Sequence, residues 1–143
     1  MITQAQSIRQ IETLPQQKGK SYYYHEQYRI EMTPLGSDHS KDHSLTSYSI
    51  YLFATLQGIS LNGHDNCTFR KPPWKEAQPD LAFYIGQKAN VIPWGTTIIN
   101  LDQFPAPNLV VEIANSSLAD DLGKKRLLYE DLGVEEYWVV DAQ

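Results

Sequence analysis

The sequence predicts an α/β fold, a mixed central sheet flanked by helices, and three patterns carry that expectation. Leu109-Val110-Val111-Glu112-Ile113, a helical stretch over 117–132 and Glu136-Tyr137-Trp138-Val139-Val140 form a strand–helix–strand unit, whose two strands should be parallel and joined by a right-handed crossover. Residues 21–32, rich in Tyr and Ile, read as one or two strands of a hairpin. Between these regions, Leu45, Tyr48, Leu52 and Leu56 recur at three- and four-residue steps, predicting a helix over 39–57 that Gly58 ends.

The remaining elements follow from local punctuation. Residues 1–20 are polar and Gln-rich, with Pro15 and Gly19, and predict a short helix or a frayed end. Thr33 to Asp38 forms a turn in which Pro34 and Gly36 stop the strand, and Ser37 or Asp38 is placed to cap the next helix. Residues 59–70 return to strand and turn residues. Lys71-Pro72-Pro73-Trp74 cannot continue a central strand, because proline has no N–H to donate. Asp80 to Ile85 reads as a strand stopped by Gly86, and residues 96–100 as a small strand inside a Pro- and Gly-containing connector. The helix over 117–132 opens at Ser117, with Asp120 as a weak capping box, and closes at Gly133. One domain over 1–143 accommodates all of this, with no internal repeat.

Composition narrows the class. No run approaches the roughly 18 apolar residues of a membrane span, and the first residues lack the basic and then apolar segments of a signal peptide. The single cysteine, Cys67, can form neither an internal disulfide nor a cysteine zinc site, which fits a reducing cytoplasm. The net charge of −5 is unlike that of a protein that clings to any nucleic acid. Binding to nucleic acid would need a local patch, a metal ion or a partner. Arg70-Lys71 with Lys75, and Lys124-Lys125-Arg126, are the two basic clusters available; both also read as solvated surface.

Three charged residues interrupt otherwise apolar patterns. Glu112 lies in a strand that should be buried on both faces, with Val110 and Ala114 on its side and Leu109, Val111 and Ile113 on the other. An unpaired charge there costs several kcal/mol, so a metal ion, a lysine or backbone donors at the sheet margin must meet it. Lys125 falls, at ~100° per residue, in the middle of the stripe Leu118, Leu122, Tyr129 and Leu132. Its ammonium would meet Glu112 across the sheet–helix junction, or its stem would carry it out to solvent. Asp121 and Tyr129 stand one turn to either side of it. Asp80 opens a strand directly after Pro79, where its side chain can project into a cleft. Together, two strand carboxylates supply hard oxygen ligands of the kind Mg²⁺ takes, with Mn²⁺ an alternative. A lysine beside them suits charge stabilisation on a phosphoryl group.

The last third of the chain carries a family resemblance. Pro79-Asp80-Leu81, then Val110-Val111-Glu112-Ile113, then Asp121-Leu122-Gly123-Lys124-Lys125 with Tyr129, then Gly133 to Asp141, resembles the Uma2 family (DUF820) in order, spacing and residue type. These are restriction-endonuclease-like proteins of the PD-(D/E)XK nuclease superfamily, abundant in cyanobacteria. Upstream, Met32-Thr33-Pro34 and His39 ahead of a helix look like that family's segment before its own long helix. The resemblance implies a PD-(D/E)XK fold, Asp80 and Glu112 as metal-binding acids, and Lys125 as the catalytic cation. It also implies Asp121, Tyr129 and His39 as supporting residues, with DNA as the substrate. The superfamily motif asks for lysine two residues after the glutamate, where this chain has Ala114. The Uma2 family typically lacks it too, and Lys125 on the next helix matches the replacement. The N-terminal strands depart from the family: Tyr23-Tyr24-His25-Glu26-Gln27 stands where members carry an acid and an Asp-Gly turn, with Glu26 the stand-in. Members also continue with further strands beyond the position of Asp141, so a C-terminally truncated domain is expected, its edge strand covered by further sequence or by a homodimer.

His39 and His43 could share a helix face and bind a metal, or sit exposed in a first helical turn. Trp138 reads as core, and Tyr129 as core with its hydroxyl near the site. Three functions fit these readings. The first is a Mg²⁺-dependent endonuclease acting on DNA. The second is an inactive module of the same fold that binds nucleic acid or a protein. The third is a hydrolase of some other phosphoester.

Overall fold

The structure, a computed structural model, describes residues 19–25, 27–32, 36–73, 75–115 and 118–142. The expectations for residues 1–18, for the turn residues 33–35, for Glu26 and for Ser117 as a cap lie outside them. In chain order the described elements are β1 (Gly19–Tyr24), β2 (Gln27–Met32), α1 (Ser37–Leu56), β3 (Leu61–Asp65), β4 (Thr68–Lys71), β5 (Lys75–Ala77), β6 (Leu81–Ile85), β7 (Ile98–Asn100), β8 (Leu109–Ala114), α2 (Leu118–Leu122), α3 (Lys124–Leu132) and β9 (Glu136–Asp141). A 3₁₀ turn over Gly86–Lys88 follows β6.

These strands form two mixed sheets where a single one was expected. One is five-stranded, in the order β2-β1-β5-β4-β7; the other is four-stranded, in the order β3-β6-β8-β9. The proline pair that interrupts the sequence between β4 and β5 is the hinge of an antiparallel pairing, Phe69 opposite Ala77. The expected parallel crossover is present: β8 runs parallel to β9, with Leu109 opposite Glu136, and α2 and α3 lie between them in sequence.

Alternation along β6 and β8 divides the core in two. Leu81, Phe83, Leu109 and Val111 face α1, where Ile50 packs with Leu61, Ile85 and Val140. Ala82, Tyr84 and Val110 face the other way, into a larger core with Tyr22, Tyr24, Phe69, Ile99, Leu128, Tyr129 and Leu132. Every residue of β8 is buried, as a strand covered on both faces requires. Helix α1 comes very close to β3. The Tyr51 hydroxyl accepts the Gly63 N–H at 2.7 Å, and a Cβ at Gly63 would stand 2.7 Å from that oxygen and 2.8 Å from the Phe83 ring. Only glycine leaves room there.

Four sequence expectations need correction. Gly36 is the N-cap of α1, with extended backbone and no side-chain cap bond, so Ser37 and Asp38 are already helical. The stripe Leu45, Tyr48, Leu52 and Leu56 is exposed; the sheet-facing side of α1 is instead defined by His39 and Ala54. The helix expected over 117–132 is broken at Gly123, whose ψ of −100° no helix shares, so α2 and α3 have different axes. Leu122 is exposed and Asp121 is buried. Trp138, read as core, is 46% exposed on β9, because it faces an open cleft between that strand and α1 among the described residues. The end of α3 follows expectation: Gly133 takes a left-handed conformation, φ 87°, and donates its N–H to the Glu130 carbonyl.

Two tyrosines of β1 tie the five-stranded sheet to the crossover helices. The Tyr22 hydroxyl donates to Asp120 Oδ2 at 2.7 Å, and the Tyr24 hydroxyl donates to Asp131. Lys75 of β5 also reaches Asp131, at 3.6 Å. The Tyr24 hydrogen bond, more than the lysine, holds the Asp131 carboxyl below its ordinary range. A depressed carboxyl contributes stability above its unfolded value and loses it as pH falls through the folded one. We expect Tyr24→Phe to raise the Asp131 pKa in an NMR titration and to reduce the loss of stability below about pH 4. An unchanged Asp131 titration would mean that this bond does not form in solution.

Candidate metal centre

The β6–β8 pairing builds the site. Leu81 lies opposite Val111, so Asp80, one step before β6, falls beside Glu112 of β8. The two acids are held reciprocally. Asp80 Oδ2 accepts the Ile113 N–H at 2.8 Å, and Glu112 Oε2 lies 3.4 Å from the Asp80 main-chain nitrogen. Each carboxylate is thus oriented by the main chain of the other strand. Asp80 and Glu112 are both buried.

Helix α3 brings the cation. Lys125 is buried, and its Nζ lies 3.7 Å from Glu112 Oε2 and 3.0 Å from Asp121 Oδ1. The Asp121–Lys125 spacing of four residues survives the break at Gly123, because the ion pair spans it. Tyr129, one turn on, donates its hydroxyl to Glu112 Oε1 at 2.6 Å. A charge-assisted bond of this kind contributes about 1.5–3 kcal/mol. The sequence reading placed Lys125 on the sheet-facing side of its helix, and the buried set Lys125, Leu128, Tyr129 and Leu132 has it there.

Helix α1 approaches from the other side. His39 and His43 are not exposed first-turn residues: His39 is buried, with Nε2 3.7 Å from Asp80 Oδ2, and His43 Nε2 lies 3.0 Å from the Asp80 carbonyl oxygen. The reason is the sheet-facing side of α1 described above, which begins at His39. Thus Asp80, Glu112, Lys125, Asp121, Tyr129 and His39 are brought together, while Glu26 lies outside the described residues.

Two contributors had no signal in the sequence. Tyr22 puts its ring under the Lys125 ammonium, 5.7 Å from centroid to Nζ. Burial, and then the bond to Asp120, raise its hydroxyl well above the ordinary tyrosine value, so it stays neutral. Tyr137 of β9 donates to the Asp121 carbonyl at 2.9 Å and stacks at a tilt on Tyr129, ring centroids 5.0 Å apart. In the sequence both are ordinary strand aromatics.

The donor set fits a hard divalent ion. Three buried carboxylates, Asp80, Glu112 and Asp121, share one buried ammonium, Lys125. Ionised together, the three carboxylates and the one ammonium leave two negative charges, and buried net charge is costly. A divalent cation would offset those two charges. Among the described residues no group of three or more His, Cys, Asp or Glu is arranged to hold a metal ion, so any site here has at most two protein ligands of these types. Two carboxylates with the remaining positions left to water is the pattern of Mg²⁺, which dehydrates reluctantly. The basic clusters offer less. Arg70 pairs with Glu76 at 2.7 Å, Lys71 with Asp102 at 3.5 Å and Lys75 with Asp131 at 3.6 Å, so the first cluster is neutralised by its neighbours.

Removing one member of a buried ionic cluster exposes the rest to an uncompensated charge. Lys125→Met should therefore lower the free energy of unfolding by about 3–5 kcal/mol in metal-free buffer. Arg126→Met, at an exposed neighbour, should change it by under ~0.5 kcal/mol. Urea denaturation of the two variants decides this; equal effects would place the Lys125 ammonium in solvent.

Comparisons with known proteins bear on the family and the fold. The model of the Uma2 family, described as "Putative restriction endonuclease", matches residues 8–143. No curated protein matches. Among solved structures, the chain is similar to a "putative nuclease belonging to DUF820" from Anabaena variabilis, with a TM-score of 0.68 and 17% identity over 99% of this chain and 74% of that one. At that identity the likeness speaks for the fold alone. The family match spans nearly all of the sequence, and the chain belongs to the Uma2 family.

Proposed function

We propose that this chain is a metal-dependent endonuclease that hydrolyses DNA phosphodiester bonds in the cytoplasm. The observation that carries the reading is the convergence of Asp80 and Glu112 at the β6–β8 pairing with the Lys125 ammonium 3.7 Å from the glutamate. The family's description and the nuclease in whose fold the chain is built support the same class.

Asp80 and Glu112 would hold Mg²⁺, with Mn²⁺ as a substitute. When bound, the ion supplies Lewis acidity toward a phosphoryl oxygen and acidifies water. The rest falls to the protein. Lys125 offers a desolvated positive charge to the anion that grows on the attacked phosphate, where low dielectric strengthens it. Asp121 fixes the lysine, and Tyr129 fixes one oxygen of Glu112, which leaves the other directed toward Lys125 and Asp80. His39, beside Asp80 Oδ2, and His43, on the Asp80 carbonyl, position the first acid.

A second reading has one observation in its favour. The net charge is −5 and the Arg70–Lys75 cluster is internally neutralised, so there is little electrostatic attraction for a polyanion. On that reading the fold serves as an inactive module that binds a nucleic acid or a protein.

Plasmid nicking separates the two. Wild-type protein should nick supercoiled DNA with Mg²⁺ or Mn²⁺ and stop when the metal is chelated. Asp80→Ala should lose at least 100-fold of the rate, equivalent to about 2.7 kcal/mol of barrier, with an unchanged circular dichroism spectrum. Cleavage that survives the substitution rejects Asp80 as a metal ligand. In calorimetry, wild-type protein should bind Mn²⁺ and Glu112→Gln should bind it at least ten-fold more weakly. Absence of divalent-ion binding by the wild type, with DNA or protein binding retained, selects the inactive module.

A further inference from the structure

Helix α1 is apolar on two opposite sides. Its inner side, with His39, Ile50 and Ala54, covers the four-stranded sheet. At 100° per residue, Leu45, Tyr48, Leu52 and Leu56 fall within an arc of roughly 80°, centred roughly opposite that inner side. They are 63%, 64%, 43% and 74% exposed. Phe53 and Tyr51, also exposed, flank the stripe. A helix apolar all round is normally buried all round. Because the outer stripe points away from the sheet, no strand added at the β9 edge would cover it.

We propose that this outer face is the contact surface of a homodimer in which two copies pack α1 against α1 about a two-fold axis. The four residues leave on the order of 450 Å² of apolar side chain in water, already in the range that marks an interaction site on a monomer. A stable complex buries about 800 Å² on each partner, a little over half of it apolar. The stripe with a polar rim from Ser44, Ser49 and Thr55 matches that amount and composition. The spacing of three, four and four residues averages about 3.67 per turn, close to the helix period, so the stripe runs nearly straight along the helix and can meet its copy over its length.

The charge pattern selects a second copy over an unlike partner. From Ser44 to Gly63 the chain holds no Asp, Glu, Lys or Arg. Identical faces can therefore meet across a two-fold axis without like charges in opposition, even though the chain carries a net charge of −5. An unlike partner is commonly selected by complementary charge, and this face offers none. The outer stripe is distinct from Asp80 and Glu112, so the dimer does not depend on the metal centre.

Sedimentation equilibrium over a wide concentration range tests the proposal. Wild-type protein should behave as a monomer–dimer equilibrium or a dimer. Leu52→Lys, at an exposed position, should keep the circular dichroism spectrum and weaken association roughly 30-fold or more. In a Cys67→Ser background, Leu52→Cys and Tyr48→Cys should form intermolecular disulfides under mild oxidation in preference to a control cysteine at the exposed Asp102, which follows β7 of the five-stranded sheet. A monomer at every concentration overturns the proposal and leaves the face to another protein or a further part of the chain. Association unaffected by Leu52→Lys, or cross-linking no better than the control, places the interface elsewhere and overturns it as well.

Discussion

The antiparallel contact between β6 and β8 governs this molecule, because it places two acids where neither can be solvated. Asp80 takes the amide that follows Glu112, and Glu112 turns back toward the amide of Asp80. Such an exchange orients both carboxylates by main-chain groups that cannot rotate away. It also concentrates negative charge between two packed layers, and the surrounding elements answer that concentration. Helix α3 supplies an ammonium and a phenol, α1 supplies two imidazoles, and β9 supplies Tyr137 to fix the helix turn that carries Asp121.

The break at Gly123 belongs to the same design. Leu122 lies outside and the acid beside it is buried. Asp121 meets Lys125 across the break while α3 keeps Leu128, Tyr129 and Leu132 in the core. Beneath, Tyr22 closes the lysine's pocket and anchors to Asp120, coupling the five-stranded sheet to the site. The hairpin of β1 and β2 thus helps build the charged cluster even though it contributes none of the acids to it.

The two faces of the four-stranded sheet are used differently. The face toward α3 holds the polar cluster together with the larger core. The face toward α1 is apolar beyond the buried His39, and a cleft of about 460 Å³ lined in part by Ile50, Phe53, Leu61, Leu109 and Trp138 opens between the helix and β9. With the outer stripe of α1, this makes the helix a two-sided apolar element, whereas the acids sit near its first turns.

Much of this was legible in the residues alone. Strand, crossover and strand over 109–141 followed from local periodicity. Glu112 and Lys125 stood out because a charge in an apolar pattern must find a partner, and that demand is written in sequence. Asp80 gained its meaning from the pattern of the family. The sequence could not say that the strands divide into two sheets, since alternation records which side a residue faces and not which strand lies beside it. It could not say which apolar side of α1 the sheet would take, because both sides repeat at helical spacing. Nor could it reveal Tyr22 or Tyr137, whose roles arise only when segments far apart in the chain come into contact. Burial made the charged residues conspicuous, but only tertiary packing fixed their partners, because distances between elements depend on strand order and helix axis.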